Sequence, residues 1–234
     1  MPVEIDAPIK EIIQRTYNVK SFRLDVPNRE EFLPGQYLVV TLKNDKNFIR
    51  ALSISSSPTE KGYIEFTKKI TASDFSKTLD SLKSGDVIKI RYPMGQFVFN
   101  KEYKKIAFIS GGIGITPIRS MCKFIADTKA DTDVVLLYGN RTENDIVFKE
   151  DFDGMLKGYQ SLKVTHILSD ASNDWCGLKG CINKDLIKKE IPDYAERKIY
   201  ICGPPPMVEA MKKMLREELF LSEENVITER FMGY

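Results

Sequence analysis

Three loops carry the residue types best suited to binding chemistry: residues 111–117 (GGIGITP), 138–141 (YGNR) and 202–207 (CGPPPM). Glycines let a backbone approach a phosphate closely, and the N-terminus of a following helix offers free N–H groups and the positive end of a dipole. Three consecutive prolines form a stiff loop that holds Cys202 and Gly203 in place. The pattern indicates a nucleotide-phosphate site, with a plain strand-to-helix turn at 111–117 as the alternative.

The loops follow apolar runs that alternate with helical patterns. Predicted strands lie at 106–110, 134–138, 164–168, 199–202 and 226–228, and predicted helices at 116–126, 148–156, 184–189 and 207–220. Alternation of this kind predicts a doubly wound parallel sheet, which binds ligands at the carboxyl ends of its strands. All three loops fall at such ends.

Before residue 100 the pattern is different. Short extended runs at 19–26, 36–42, 63–66 and 87–90 are separated by turns, and a single helix at 74–82 has Ser73 as its N-cap. Such spacing predicts an antiparallel barrel or sandwich. We therefore predict two domains, residues 1–100 and 101–234, with the hinge near 100–105.

Composition excludes several classes of protein. The 234 residues carry 35 basic and 33 acidic side chains, a net charge of +2, which argues against a nucleic-acid partner. No apolar run is long enough to span a membrane and the start is unlike a signal peptide, so a cytoplasmic location is expected. Four cysteines without a Cys-x-x-Cys pair, and one histidine, His166, argue against a metal site. Redox chemistry would then need an organic cofactor.

Short motifs along the whole chain resemble those of the ferredoxin–NADP reductase superfamily. In chain order they are RALS at 50–53, SDFS at 73–76, GD at 85–86, PMG at 93–95, GGIGITP at 111–117, CGPPPM at 202–207 and ERF at 229–231. Each motif is modest alone, but the order and spacing are specific. The resemblance implies an FAD-binding Greek-key barrel followed by an NAD(P)-binding α/β domain.

The implied activity is transfer of electrons from NAD(P)H through FAD to a separate one-electron acceptor protein, such as a ferredoxin or an oxygenase component. A free-flavin reductase and an electron-transfer subunit of a larger complex are the alternatives. FMN could replace FAD, because Arg50 would serve either phosphate.

The resemblance also implies roles for residues around the flavin. Arg50 would bind a flavin phosphate, Ser53 would lie beside flavin N5, and Ser76 with nearby N–H groups would hold the pyrophosphate. The complete predicted FAD set is Arg50, Ala51, Leu52, Ser53, Thr67, Lys68, Lys69, Ser73, Phe75, Ser76, Thr116, Phe231 and Tyr234. Two departures are that Leu52 replaces the usual aromatic and Ser73 the usual glycine.

For the nicotinamide side, Cys202 matches the cysteine that the family places near the ring, and Glu229 its C-terminal acid. Together with Ser53 they form the predicted catalytic set, and Phe231 or Tyr234 would cover the flavin face. The predicted NAD(P)H set is Gly111, Gly112, Gly114, Thr116, Asn140, Arg141, Ser169, Asp170, Cys202, Gly203, Pro204 and Met207.

Nicotinamide choice depends on the pair Ser169–Asp170 at a predicted strand end. A carboxylate suits the ribose hydroxyls of NADH and repels a 2′-phosphate, whereas Arg141 could attract one. We expect a preference for NADH. His166, Trp175, Cys176 and Cys181 are expected to be structural.

Overall fold

The N-terminal part of the chain is a curled antiparallel sheet. The computed structural model describes residues 1–26, 31–43 and 47–230. The strands are β1 (Val3–Thr16), β2 (Val19–Leu24), β3 (Tyr37–Lys43), β4 (Asn47–Ser53), β5 (Ile64–Lys69) and β6 (Val87–Met94). They are ordered β4-β3-β6-β1-β2-β5, which makes β4 and β5 the two edges.

The two edges approach each other, so the sheet closes into a barrel. An antiparallel bridge joins Ile54, just after β4, to Phe66 of β5. The Phe66 ring stacks on the Phe22 ring with centroids 5.2 Å apart, and both residues are fully buried in the barrel core. Helix α1 (Asp74–Asp80) begins as predicted, with the Ser73 hydroxyl accepting a hydrogen bond from the Ser76 amide at 3.3 Å.

The C-terminal part is a parallel sheet flanked by helices. Its strands are β7 (Lys105–Gly111), β8 (Asp133–Asn140), β9 (Leu162–Leu168), β10 (Leu178–Lys179), β11 (Lys198–Gly203) and β12 (Val226–Arg230), and its helices are α2 (Ile115–Thr128), α3 (Lys149–Gly158), α4 (Lys184–Glu190) and α5 (Pro205–Glu217). The strands are ordered β10-β9-β8-β7-β11-β12. The chain enters this sheet at the central strand β7, adds β8 to β10 on one side, and then adds β11 and β12 on the other side.

Alternate residues of the central strands enter two different cores. Phe108 of β7 packs with α2 and α3, whereas its neighbours Ala107 and Ile109 pack with α4 and α5. Helices therefore cover both faces, which confirms the predicted pairing of a barrel with a doubly wound sheet.

Several boundaries differ from the prediction, among them both ends of helix α5. Helix α5 begins at Pro205 instead of Met207, because prolines are tolerated in the first turn, where their missing N–H groups have no helical partner. The helix ends at Glu217, before Phe220, whose φ of 55° is left-handed. In the described ranges, none of the helices is both long and apolar enough to cross a bilayer.

Candidate functional site

A cavity of about 430 Å³ opens at the carboxyl ends of β7, β8, β9 and β11. This is the edge of a parallel sheet at which ligands bind. All three chemistry-bearing loops contribute to its wall. The predicted nucleotide residues that line it are Gly111, Gly112, Asn140, Arg141, Ser169, Pro204 and Met207.

The glycines of the first loop have different roles. A Cβ on Gly111 would lie 2.3 Å from the sulfur of Met207, and one on Gly114 would lie 2.3 Å from the carbonyl oxygen of Cys202. These two glycines let the loops after β7 and β11 pack together. Gly112 instead has φ of +52° and open space where a Cβ would be. Gly112 therefore leaves its backbone accessible from the cavity.

Asn140 at the end of β8 is suited to binding a polar ligand. The residue is 8% exposed and lines the cavity, and neither its side-chain nitrogen nor its side-chain oxygen makes a hydrogen bond of good geometry within the described residues. Buried polar atoms without partners are costly, and a bound nucleotide would satisfy them. The hydroxyl of Ser110, one residue before Gly111, is likewise buried and unpartnered.

The barrel supplies the opposite wall of this cavity. The turn between β1 and β2 brings in Tyr17 and Asn18, and β5 brings in Lys69. The Tyr17 hydroxyl donates to Asp145 Oδ1 at 2.9 Å, across 128 residues of sequence. The cavity is therefore lined by residues of both sheets.

A group of cations lies where the two edge strands of the barrel, β4 and β5, approach each other. Burial, together with the nearby Arg50 and Lys69, lowers the pKa of Lys68. The Lys68 ammonium donates to the Lys69 carbonyl at 2.8 Å, and the Arg50 guanidinium lies 5.6 Å from the centre of the Phe75 ring. Within the described residues, neither Arg50 nor Lys68 has a carboxylate within salt-bridge distance. Unneutralised cations held close together fit the phosphates of a dinucleotide such as FAD.

Two family profiles match the chain in the order of its sheets. The profile described as "Oxidoreductase FAD-binding domain" matches residues 6–99, and the profile described as "Oxidoreductase NAD-binding domain" matches residues 108–213. The chain belongs to the ferredoxin–NADP reductase superfamily of flavin oxidoreductases. The cation group lies in the first of these domains and the cavity at the edge of the second.

Sequence relatives and solved structures agree with this membership. The chain is 32% identical over 214 residues to the glycine betaine monooxygenase reductase subunit of Pseudomonas aeruginosa, covering 88% of this chain and 58% of that protein. It is 33% identical over 220 residues to NADH-cytochrome b5 reductase 1 of Aspergillus oryzae, covering 88% of this chain and 75% of that protein. The chain thus spans little more than half of the first relative's length.

The fold is also that of the cytochrome b5 reductase domain of Ulva prolifera nitrate reductase. The two superpose with a TM-score of 0.86 at 23% identity, over 97% of both chains. The ferredoxin reductase in carbazole 1,9a-dioxygenase superposes with a TM-score of 0.85 at 26% identity, over 99% of this chain and 70% of that one.

The predicted flavin residues of this superfamily member fall in different surroundings. Arg50 and Ala51 are exposed, whereas Leu52 packs in the barrel core. Ser53, the last residue of β4, is 5% exposed. Thr67 is buried and its hydroxyl is shared with Ser21 and Ser55, at 2.7 and 2.9 Å.

The residues predicted at the pyrophosphate and at the junction of the domains are internally bonded. The buried Ser76 hydroxyl lies 3.1 Å from those of Thr71 and Ser73. Thr116, in the first turn of α2, donates to the Ile113 carbonyl at 3.1 Å. Phosphate binding at Ser76 would therefore depend on exchanging these bonds for ligand contacts.

Cys202 and Glu229 are register partners on β11 and β12. Burial raises the pKa of the Cys202 thiol, and the Glu229 carboxylate adds to the rise. Burial also raises the pKa of Glu229. Cys202 is completely buried, an environment that favours the neutral thiol over the thiolate.

The end of β9 lies beside the end of β8. Ser169 N–H donates to the Asn140 carbonyl at 3.0 Å, and Asp170 N–H to the Arg141 carbonyl at 2.8 Å. The exposed Arg141 and Asp170 side chains form an ion pair, Nε to Oδ2, at 3.4 Å. The Asp170 carboxylate, expected to favour NADH, and the Arg141 guanidinium, expected to attract the 2′-phosphate of NADPH, therefore pair with each other.

Cys181 was not expected at the site. It is exposed and lines the cavity, because β10 turns back at Gly180, where φ is +107°. Its position depends on a short strand that carries almost no sequence signal. Cys176 is exposed, Trp175 is half-buried, and Phe231 and Tyr234 lie outside the described residues.

Proposed function

We propose that this chain is an NAD(P)H-dependent flavoprotein reductase that passes electrons to a separate one-electron acceptor protein. The observation that carries the proposal is the cavity at the strand ends, lined by the buried polar side chain of Asn140 and walled on its other side by the barrel. When bound, FAD supplies the ability to accept two electrons from a nicotinamide and to release them singly. The domain assignments are residues 1–100 for the flavin and 101–234 for the nucleotide.

The chain's own residues would divide the work. Arg50, Lys68 and Lys69 would neutralise the flavin phosphates, and Ser53 would place a hydroxyl beside the flavin ring. The Asn140 side chain would form hydrogen bonds with the nucleotide, and these would replace the hydrogen bonds to water that burial of its amide removes. Residues of both sheets line the cavity, so a nucleotide bound there would contact the barrel as well as the parallel sheet.

NADH is the proposed nucleotide. The Asp170 carboxylate would accept hydrogen bonds from the ribose hydroxyls, and it already engages Arg141, the cation nearest to it. A 2′-phosphate would have to break this pair and approach a carboxylate of like charge. Steady-state rates with the two nucleotides test this, and a strong bias toward NADPH would overturn it.

The acceptor is proposed to be a redox protein such as a ferredoxin or an oxygenase component. Support comes from relatives named as reductase subunits of a monooxygenase and as cytochrome b5 reductases. In the described residues, no cluster of His, Cys, Asp and Glu side chains has a metal-binding arrangement. The four free cysteines also support a reducing cytoplasm as the place of action.

The decisive experiment is to purify the protein, identify the flavin that it releases, and follow flavin bleaching under anaerobic conditions with NADH and with NADPH. We expect FAD that survives gel filtration and bleaches faster with NADH. A protein that binds flavin only when flavin is added would instead indicate a free-flavin reductase. Turnover only in the presence of a copurifying protein would indicate a subunit of a larger complex. Protein without flavin and without bleaching would defeat the proposal.

A matched pair of variants tests the flavin phosphate site. Arg50→Met removes an exposed cation beside Lys68, and Arg91→Met removes an exposed cation from β6. We expect the first variant to lose flavin on gel filtration and the second to retain it. Equal retention by both would contradict the role of Arg50.

A further inference from the structure

Helix α2 is attached to the barrel through two consecutive side chains. Arg119 Nη1 donates to the Ser55 carbonyl at 3.1 Å, and the Ser120 hydroxyl donates to the Ser56 carbonyl at 2.7 Å. All four residues are buried. These bonds hold the main chain of residues 55–60, the segment between β4 and β5, along the helix.

Arg119 is also the centre of a buried ion cluster that includes both domains. It makes a two-pronged contact with Glu60, in the barrel segment, and a hydrogen bond of 2.5 Å to Asp151 of α3. Burial alone would lower the pKa of Arg119, but its bonds to Glu60 outweigh that effect and raise it. The guanidinium therefore stays charged, and its planar fork fixes the direction of both contacts.

A second arginine completes the cluster from the barrel side. Arg15 of β1 contacts Asp151 at 3.5 Å and the buried Glu65 at 3.0 Å. The guanidiniums of Arg15 and Arg119 lie 5.0 and 5.6 Å from the centre of the same ring, that of Phe148. Burying this many charges adds little net stability. The better explanation for the ion cluster is that it fixes the relative positions of the elements that it joins.

The barrel segment 55–60 and Arg119 each lie close in sequence to one side of the site. Residues 55–60 begin two positions after Ser53, the hydroxyl proposed to lie beside the flavin. Arg119 lies three residues, close to one helical turn, after Thr116 and the cavity-lining loop at 111–114. A shift of Arg119 relative to its partners would therefore change the separation between the flavin side and the nucleotide side.

We propose that Arg119 is a positioning residue, which fixes the distance between the flavin-binding strand and the nucleotide-binding loop without touching either cofactor. The inference rests on the proposed function. It predicts that loss of Arg119 slows the reaction between the cofactors while nucleotide affinity is retained. A displacement of about 1 Å between reacting groups lowers rates on the order of 100-fold.

The test compares Arg119→Met with Lys213→Met. Lys213 is an exposed cation of α5 that pairs with Glu217, one turn away on the same helix. In Arg119→Met we expect flavin bleaching at saturating NADH to fall on the order of 100-fold, with an NAD⁺ dissociation constant within about threefold of wild type. Lys213→Met should match wild type in both.

A second readout does not need cofactors. Hydrogen exchange of the flavin-free protein should speed up by about tenfold or more at residues 55–60 in Arg119→Met, because a hydrogen bond to a charged group is lost there. Strand β8 should exchange as in wild type. If Arg119→Met does not fold, Glu60→Gln replaces it, since that change weakens the same contact while keeping its shape.

Each outcome bears on the inference. Unchanged exchange at residues 55–60, or equal losses of nucleotide affinity and bleaching rate, would overturn the positioning role. Arg119→Lys should recover only part of the rate, because an ammonium lacks the fork; full recovery would show that charge alone suffices and would also overturn it. If NADH fails to bleach the wild type, the proposed function falls and the catalytic half of this inference falls with it. The exchange comparison still decides whether Arg119 holds the segment.

Discussion

Gly114 offers a sharp test of how the nucleotide loop is built. Its φ and ψ of −60° and −9° suit any residue, so alanine there meets no backbone strain. The obstacle is steric: a Cβ would lie 2.3 Å from the Cys202 carbonyl oxygen and 2.6 Å from Gly203 Cα. Both atoms belong to main chain in the sheet, so no side chain can swing aside. The loops after β7 and β11 would have to separate by about 1 Å.

The size of the effect follows from this overlap. Overpacking a well-packed interior typically costs about 1–3 kcal/mol, and a clash with main chain belongs at the upper end. For a chain of this length each 1 kcal/mol shifts the melting temperature by about 2–4 °C. At about 2–3 kcal/mol, Gly114→Ala should therefore melt about 4–12 °C below wild type. Because the displaced loop lines the cavity, NADH affinity should fall as well.

Gly154→Ala is the matched control. Gly154 is an exposed residue of α3 with nothing within 4 Å of the added Cβ. Replacing a glycine in a helix with alanine gains up to about 1 kcal/mol, so this variant should melt slightly above wild type. Thermal melts followed by circular dichroism, with NADH titrations at 25 °C, measure both variants. A Gly114→Ala protein with wild-type melting and wild-type affinity would refute the close packing of the two loops.

Three further outcomes are expected. NADH should slow alkylation of Cys181, which lines the cavity, but not of Cys176, which is exposed outside it, as peptide mass spectrometry would show; equal protection would contradict the position of the cavity. Asp170→Ser should raise the ratio of kcat/KM for NADPH over NADH by about tenfold, equivalent to about 1.4 kcal/mol, and a fall in that ratio would reverse the assigned role. Burial works to raise the pKa of Glu60, but its bond to Arg119 outweighs burial and lowers it below its ordinary value of 4.5. The stability gained from Glu60 is thus present above about pH 4.5 and is lost as the pH falls through the lowered value. Glu60→Gln should lower the urea midpoint at pH 7 and make its dependence on pH below 4.5 shallower.

The overall fold could be predicted because its signals are local. The strands of the parallel sheet are apolar runs, and Ser73 marks the start of α1 by its own chemistry. The first strand, Val3–Thr16, was harder to predict because it changes partner midway. Val3–Pro8 pairs with β6 and Ile9–Thr16 with β2, so no single alternation of apolar and polar residues runs along its length.

The site residues could be predicted only where they lie together at one edge of the parallel sheet. Asn140, Ser169 and Gly111 end neighbouring strands, and the rule for parallel sheets brings them together. Tyr17 reaches the same cavity from another domain, and nothing in the sequence near residue 17 reports a bond to Asp145. The same holds for Arg119, whose partners lie 59 and 32 residues away.

The glycine-rich loop shows why a motif predicts a place better than it predicts a role. Proximity to phosphate was the expected reason for all three of its glycines, yet a Cβ on Gly111 would overlap the Met207 side chain and one on Gly114 would overlap the main chain of Cys202 and Gly203. Gly112 alone, left-handed and open to the cavity, keeps the role suggested by the motif. Substitutions within the loop should therefore have different effects. Gly114→Ala lowers stability and nucleotide affinity together, whereas Gly112→Ala alters the backbone available to the ligand. A loop built only for phosphate would show no such division, because all three glycines would then face the same open space.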